Sequence, residues 1–233
     1  MCWPPASVDT VTSLDHGAAA IAGDRTHGAG YLARQALGLL AAAPKVDRER
    51  VAARLRSARP AMPAIGAAVD EALRDGDVRA VLRRADAARR RVASEAQPLM
   101  AGHPRVATIS NSSLVTRVLA VARPATTVVA VEDGQDEGWV LVAELRALGL
   151  DATGVPVAGV DADIAVVGCD AIFDDGGFVN RRGTAVLLER MGSRPVLVLG
   201  EPWKVVTGGT PANWPEPDLF EVVPSTTNAV ILR

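Results

Sequence analysis

Cysteine is almost missing from this 233-residue chain, and the two present, Cys2 and Cys169, lie far apart with no CxxC or Cys/His spacing around them. Neither a disulfide framework nor a zinc site is indicated. Histidine is nearly as scarce, at three residues, which argues against chemistry centred on a metal. No long apolar run occurs either: each is broken by Gly, Pro or charge before the ~18 residues of a membrane helix, and no basic stretch followed by an apolar one opens the chain. The expectation is a soluble cytoplasmic protein without a membrane partner. Aromatic residues make up only 3%. The basic run "RRADAARRR" (83–91) contains none, and Ala and Asp interrupt it at helical spacing. It is read as a solvated helix face, with no nucleic-acid partner implied.

What is present is 48% hydrophobic residues, ample for a core in one large domain or two small ones. Charge divides unevenly: residues 1–100 hold 15 Lys/Arg against 11 Asp/Glu (+4), and the remainder 10 against 16 (−6). Texture divides at the same place. Before residue 100, Ala, Leu and Arg dominate, with apolar positions recurring at three and four, as in "GYLARQALGLL" and "VDRERVAARLRSA". This spacing predicts about four helices over a domain 1–100. From 101 to 233, short β-branched runs alternate with helical ones: "RVATI", "SSLVTRVLAVA", "TTVVAV", "EGWVLVAELRALG", "DIAVVG", "RRGTAVLLERMG", "PVLVLG". Such alternation predicts a mainly parallel sheet with crossover helices, hence an α/β fold behind a helical N-terminal domain.

Ligands of parallel sheets sit beyond the carboxyl ends of the strands. There the sequence places Ser110, Asn111, Ser112 and Ser113, then Glu132 and Asp133, then Asp170, with Asp174, Asp175 and Asn180 close behind. Three strands thus aim hydroxyls, an amide and carboxylates at one rim. Asp170 follows Gly168 on a partly apolar platform, where a carboxylate can have a raised pKa and exchange protons with a substrate carbon. Asn180 and Arg181 are expected to open a helix whose free N–H groups favour an anion. The alternative is that "DDGG" is a turn and Asn180 an ordinary cap; the turn is preferred for Asp174 and Asp175, a functional role for Asp170 and Asn180. Acid and anion site together point to a phosphorylated small molecule.

The stretch "VVGCDAIFDDGGFVNRRGTAVL" resembles the Gly-Ala-Asp-Ala-Ile, Asp-Gly, Asn-Lys-x-Gly-Thr signature shared by ribose-1,5-bisphosphate isomerase, methylthioribose-1-phosphate isomerase and the α, β and δ subunits of translation initiation factor 2B. "THGAGYLARQA", "RPAMPAIGAAV", "VATISNSSLVTRVL", "EPWKV" and "FEVVP" are similar to further family segments in the same order. The resemblance implies a Rossmann-like sheet domain, a pocket between it and the helical domain, a homodimer, and no metal or organic cofactor. In the isomerases a Cys and an Asp interconvert an aldose phosphate and a ketose phosphate. By position these are Ser110 and Asp170, and the family's Asn-Lys pair is Asn180 and Arg181. His27, Asn111, Ser112, Glu132 and Lys204 complete the implied substrate-binding set.

Departures from the family pattern bear on activity. Ser110 is a far weaker acid than a thiol, His27 stands where the isomerases carry Arg, Gly134-Gln135 replaces an Arg-Pro, and the chain is shortened between "ATGVPV" and "VDADIAVVG". Cys169 should face away from Asp170 as a buried thiol. Trp139 reads as core or interface, Trp203 and Trp214 as a cover or edge of the pocket, and His16 and His103 as structural. Three functions follow: a sugar-phosphate isomerase using Asp170 and Ser110, placed first because Asp170 is kept; a regulatory protein binding a phosphometabolite without turnover; and an assembly subunit resembling those of the initiation factor.

Overall fold

The computed structural model describes residues 8–131 and 137–233. Five α-helices come first: α1 (Val8–Gly23), α2 (Ala29–Ala42), α3 (Arg48–Ala58), α4 (Pro63–Asp75) and α5 (Val78–Met100). The count exceeds the expected four because α4 and α5 are separated by only two residues. Gly76, at φ 77°, ends α4 in the left-handed region that suits glycine. Asp77 then caps α5 by accepting the N–H groups of Arg79 at 2.8 Å and Ala80 at 3.1 Å.

From Arg105 the chain alternates: β1 (Arg105–Ile109), α6 (Ser113–Ala122), β2 (Thr126–Val131), α7 (Glu137–Ala147), β3 (Ala152–Pro156), β4 (Ile164–Gly168), β5 (Ala171–Ile172), β6 (Phe178–Arg181), α8 (Thr184–Met191), β7 (Val196–Leu199), β8 (Phe220–Val223) and β9 (Ala229–Leu232). Six strands form a parallel sheet in the order β3-β2-β1-β4-β7-β9. The α/β class read from the sequence is therefore correct. Alternate residues serve opposite faces, as the period of two requires. Val106, Val129, Ile164, Val166, Leu197 and Leu199 meet α5, α6 and α7. Ala107, Val128, Ala165, Val167, Val196 and Val198 face the side of α8.

A second sheet, not anticipated, is antiparallel and runs β5-β6-β8. Its two faces bind different layers. Ala171, Phe173, Val179 and Phe220 join the core of the helices α1–α4, whereas Ile172, Phe178 and Val223 join the core beneath the parallel sheet. Trp203 and Trp214 also pack on the helical core, donating their indole N–H groups to Glu71 at 2.6 Å and to the Ala61 carbonyl at 3.0 Å. Trp139 is not core: it is 54% exposed. Most of the basic run on α5 is a solvated face, with Arg84 paired to Glu71 and Asp75, and Arg91 to Glu95, but Arg89 turns inward: its side chain is 12% exposed and lies 3.5 Å from the buried Glu201.

One charged contact ties the helices to the loop before β8. Arg59, only 2% exposed, donates from Nε at 3.3 Å and Nη2 at 2.8 Å to the Glu216 carboxylate, and from Nη1 to the Asp24 carbonyl. Removing the carboxylate strands a buried guanidinium. Glu216→Ala should cost about 2–3 kcal/mol, somewhat less than a fully buried pair because the Glu216 side chain keeps 24% exposure. Arg56→Ala, which breaks an exposed pair with Asp70, should cost under about 1 kcal/mol. Urea unfolding checks this: equal midpoints for the two variants would show that the Arg59 contact is not stabilising.

Candidate functional site

Strand order reverses between β1 and β4, so the crevice beyond their carboxyl ends is the topological switch point. A cavity lies there, lined by Ser110, Asn111 and Ser112 after β1, Gly168, Cys169 and Asp170 after β4, Asn180 and Arg181 of β6, Lys204 after β7, and Gly28, Met62 and Glu137. Seven residues expected from the sequence thus converge: Asp170, Ser110, Asn111, Ser112, Asn180, Arg181 and Lys204. The enclosed space is about 20 Å³, enough for about one water molecule.

The two strand ends are pressed together. Ser112 caps α6, and a Cβ added to Gly168 would come within 2.8 Å of its Oγ. Glycine is what lets β1 and β4 end side by side. Ser110 adopts φ 61°, a left-handed conformation that costs a non-glycine residue about 1–2 kcal/mol, and it is 7% exposed. Asp170 is 6% exposed; its N–H donates to the Val179 carbonyl at 2.7 Å, and its Oδ1 accepts the Ala29 N–H at 3.3 Å. Burial is the largest influence on its carboxyl and holds the pKa above the ordinary carboxylate value. The charges of Lys204 and Arg59 and the Ala29 N–H oppose the rise without cancelling it.

Arg181 is 5% exposed, donates to the Arg25 carbonyl, pairs with Glu137, and lies 5.0 Å from the Phe220 ring centroid. Burial and the neighbouring Arg59 lower its pKa to about 10, so it stays charged at neutral pH. Lys204, one of only two lysines in the chain, is 5% exposed. Asn180, 2% exposed, donates to Thr184 Oγ1 at 3.0 Å.

Two expectations are revised, and a third lies outside the described residues. Asn180 and Arg181 do not open a helix: they close β6, paired with Glu221 and Phe220 of β8, and α8 starts only at Thr184. The strand formers Phe178 and Val179 carry the chain through Arg181 before Gly183, at φ 90°, permits the helix. The helix start at the cavity is instead that of α2, through Gly28 and Ala29. His27 does not line the cavity; its Nδ1 meets Asp24 Oδ2 at 2.8 Å and its ring stacks on Tyr31 at 4.2 Å. Burial pushes the Asp24 carboxyl up, but hydrogen bonds from His27 and Thr26 outweigh it and leave the pKa lowered. Glu132 lies outside the described residues. Cys169 borders the cavity with its thiol turned away, donating to the Leu199 carbonyl at 3.4 Å, and burial pushes its pKa to about 12. Asp175 is a turn residue, accepting the Gly177 N–H at 3.1 Å and the Thr210 hydroxyl at 2.6 Å.

Glu137 and Arg59 were missed. Glu137 gave no signal, because as the opening acid of a predicted helix it looked like an ordinary dipole partner. Arg59 stood in "RPAMP", and nothing in its local pattern marks it for burial. Among the described residues no group of three or more His, Cys, Asp or Glu is arranged to hold a metal. The arrangement offers a buried carboxyl of raised pKa in one cavity with two buried cations, a helix N-terminus and a hydroxyl.

Fold and site together define a doubly wound α/β protein with a helical layer and a polar, anion-suited cavity at its switch point. The chain belongs to the Initiation factor 2 subunit family (IF-2B), which matches residues 26–207. Similar solved structures include the translation initiation factor eIF-2B of Pyrococcus horikoshii OT3, at 20% identity and TM-score 0.73, covering 94% of this chain and 92% of that one. The eIF2B delta subunit of Chaetomium thermophilum gives 18% identity and TM-score 0.71, with 97% and 98% covered. The 5-methylthioribose 1-phosphate isomerase of Pyrococcus horikoshii OT3 gives 18% and 0.66, with 91% and 80% covered. At these identities the likeness shows the fold. A search of curated proteins finds no match.

The raised pKa of Asp170 carries a stability consequence with a definite sign. A carboxyl that holds its proton more tightly folded than unfolded is most favourable to folding at low pH. That advantage is lost as pH rises from the unfolded value through the folded one. Asp170→Asn, similar in size and uncharged, should therefore melt higher than the wild type at pH 7.5, with the difference shrinking at pH 4. Thermal melts at the two pH values check it; a lower melting temperature for Asp170→Asn at pH 7.5 would mean that the ionised carboxylate is a net stabiliser.

Proposed function

We propose that this protein binds a phosphorylated small sugar at the switch-point cavity and interconverts its aldose and ketose forms. Asp170 carries the reading: a buried carboxylate of raised pKa, in one cavity with Ser110, Lys204 and Arg181. A carboxyl whose pKa is lifted toward neutrality suits a group that must take a proton and give it back. With the ring-opened aldose bound, Asp170 removes the proton from C2 while Ser110 gives its hydroxyl proton to O1, forming the enediol. Asp170 then returns its proton at C1 as Ser110 takes back the proton of O2, leaving the carbonyl at C2. Asn180, Arg181, Lys204 and the N-terminus of α2 hold the phosphate, and Asn111 and Ser112 meet the sugar hydroxyls. No metal or organic cofactor enters this scheme. The similarity to a methylthioribose 1-phosphate isomerase supports it at the level of fold.

A second reading keeps the binding and drops the turnover. It is favoured by Ser110, since a hydroxyl is a much poorer proton donor than the thiol of the resembling enzymes. In either reading the protein works in the cytoplasm as a homodimer. Trp139, 54% exposed on α7, supports a partner over that side, and a solved relative in fold is the tetrameric eIF2B-beta2-delta2 complex from C. thermophilum.

Substitution separates the two readings. Asp170→Asn should abolish isomerisation of pentose and methylthiopentose phosphates while leaving their affinity nearly unchanged. Arg181→Ala should weaken binding by roughly 1.5–3 kcal/mol through loss of a charge-assisted contact. Ser110→Cys should raise turnover. If wild type and Ser110→Cys both fail to convert every phosphate that stabilises the protein in a thermal-shift screen, the regulatory reading replaces the enzymatic one. Light scattering tests the assembly, and a monomer at micromolar concentration would remove the homodimer.

A further inference from the structure

Glu137 has no part in the scheme above, yet it lines the same cavity. It opens α7, is 8% exposed, and is ion-paired with Arg181. Arg181 is fixed from two other sides, by the Arg25 carbonyl and by the Phe220 ring. Those contacts orient the guanidinium but bring no carboxylate to it; among the described residues, Glu137 is the acid paired with it. The Glu137 carboxylate thus stands where an anion on Arg181 would stand, and an anion that pairs with Arg181 competes with it for the guanidinium.

Resting on the phosphate reading, we infer that Glu137 is the specificity-determining residue of the site: it occupies the anion position of the empty protein and admits only ligands more negative than itself. Exchanging one singly charged carboxylate for another at the same guanidinium gains no Coulomb energy, and the incoming ligand also loses its freedom of motion. A phosphate monoester carries about −1.5 to −2 charges at neutral pH and three strong acceptor oxygens, and it meets Lys204 in the same cavity. Sugar phosphates are admitted and sugar acids are turned away. Glu137 acts through Arg181, not on the reacting atoms.

Calorimetric titration at pH 8 of wild type and Glu137→Gln with ribose 5-phosphate and with ribonate tests this. Wild type should bind the phosphate and not the sugar acid. Glu137→Gln should bind the phosphate at least fivefold tighter and gain measurable affinity for ribonate. Wild-type or weaker phosphate affinity in Glu137→Gln overturns the inference while leaving the phosphate site standing; failure of both proteins to bind phosphate overturns both. Hydrogen exchange on the wild type gives a readout that needs no variant. Saturation with ribose 5-phosphate should lower protection of the Leu141 and Val142 amides, whose N–H groups bond back to the first turn of α7, as Glu137 is released, and unchanged or greater protection there overturns the inference.

Discussion

Three layers of this protein meet at the backbone and carboxylate of Asp170. The residue lies two positions past the end of β4, its N–H bonds to the Val179 carbonyl of the small antiparallel sheet, and its Oδ1 takes the Ala29 N–H of the helical layer. An ionised carboxylate in such a place is costly unless cations and donors surround it. Much of the nearby chemistry reads as a response to that cost. Lys204 and Arg59 lower the pKa of Asp170 without cancelling the effect of burial, and α2 presents its N-terminus where a negative charge is most favourable. The result is a carboxyl stabilised enough to remain in the fold and strained enough to hold a proton tightly.

The cations need partners in turn. Arg59 is answered by Glu216, which also lies 3.5 Å from Arg25, and Arg181 is answered by Glu137. Phe220 lies between the two buried guanidinium groups, 5.9 Å from Arg59 and 5.0 Å from Arg181, and its ring face adds a weak attraction to both. Helix ends, a loop and the small sheet are thereby fastened to one charge network. Of these acids Glu137 is the one whose arginine lines the cavity, so the Arg181 pair is the part of the network that a bound anion would disturb under the proposed function.

Legibility in the sequence followed the range of the interactions. Period-two runs such as "TTVVAV" and helical runs such as "GYLARQALGLL" are local, and they disclosed the parallel sheet and the helical layer. The rim residues Ser110, Asn111, Ser112 and Asp170 were legible because strand ends in parallel sheets share an edge, whatever the tertiary detail. Asn180 and Arg181 were placed in the right cavity on the wrong element. Their strand is made by pairing with β8, some forty residues on, a contact without a local signature. His27 shows the converse: its neighbour Gly28 reaches the cavity, while Asp24 and Tyr31 hold the imidazole aside. Burial of Glu137 and Arg59 depends on distant partners and could not be read from spacing at all.

Ser110 completes the argument, because it combines two costs at one position. Its φ of 61° belongs to the region where glycine is at ease, and the residue is a polar one held at 7% exposure. Glycine there would relieve the backbone and leave the β1 end free to pack on β4; it would also remove one of the side-chain oxygens that the segment after β1 brings to the cavity with Asp170. Backbone strain of this kind persists where surrounding structure over-determines it. Here the constraint is visible, since a Cβ at Gly168 would come within 2.8 Å of Ser112 Oγ, leaving no room for a side chain between the end of β4 and the segment after β1. A strained serine and a buried acid at adjacent strand ends are both departures from what stability alone would select. Their coincidence at the switch point is what supports the proposal of proton transfer in this cavity over packing alone.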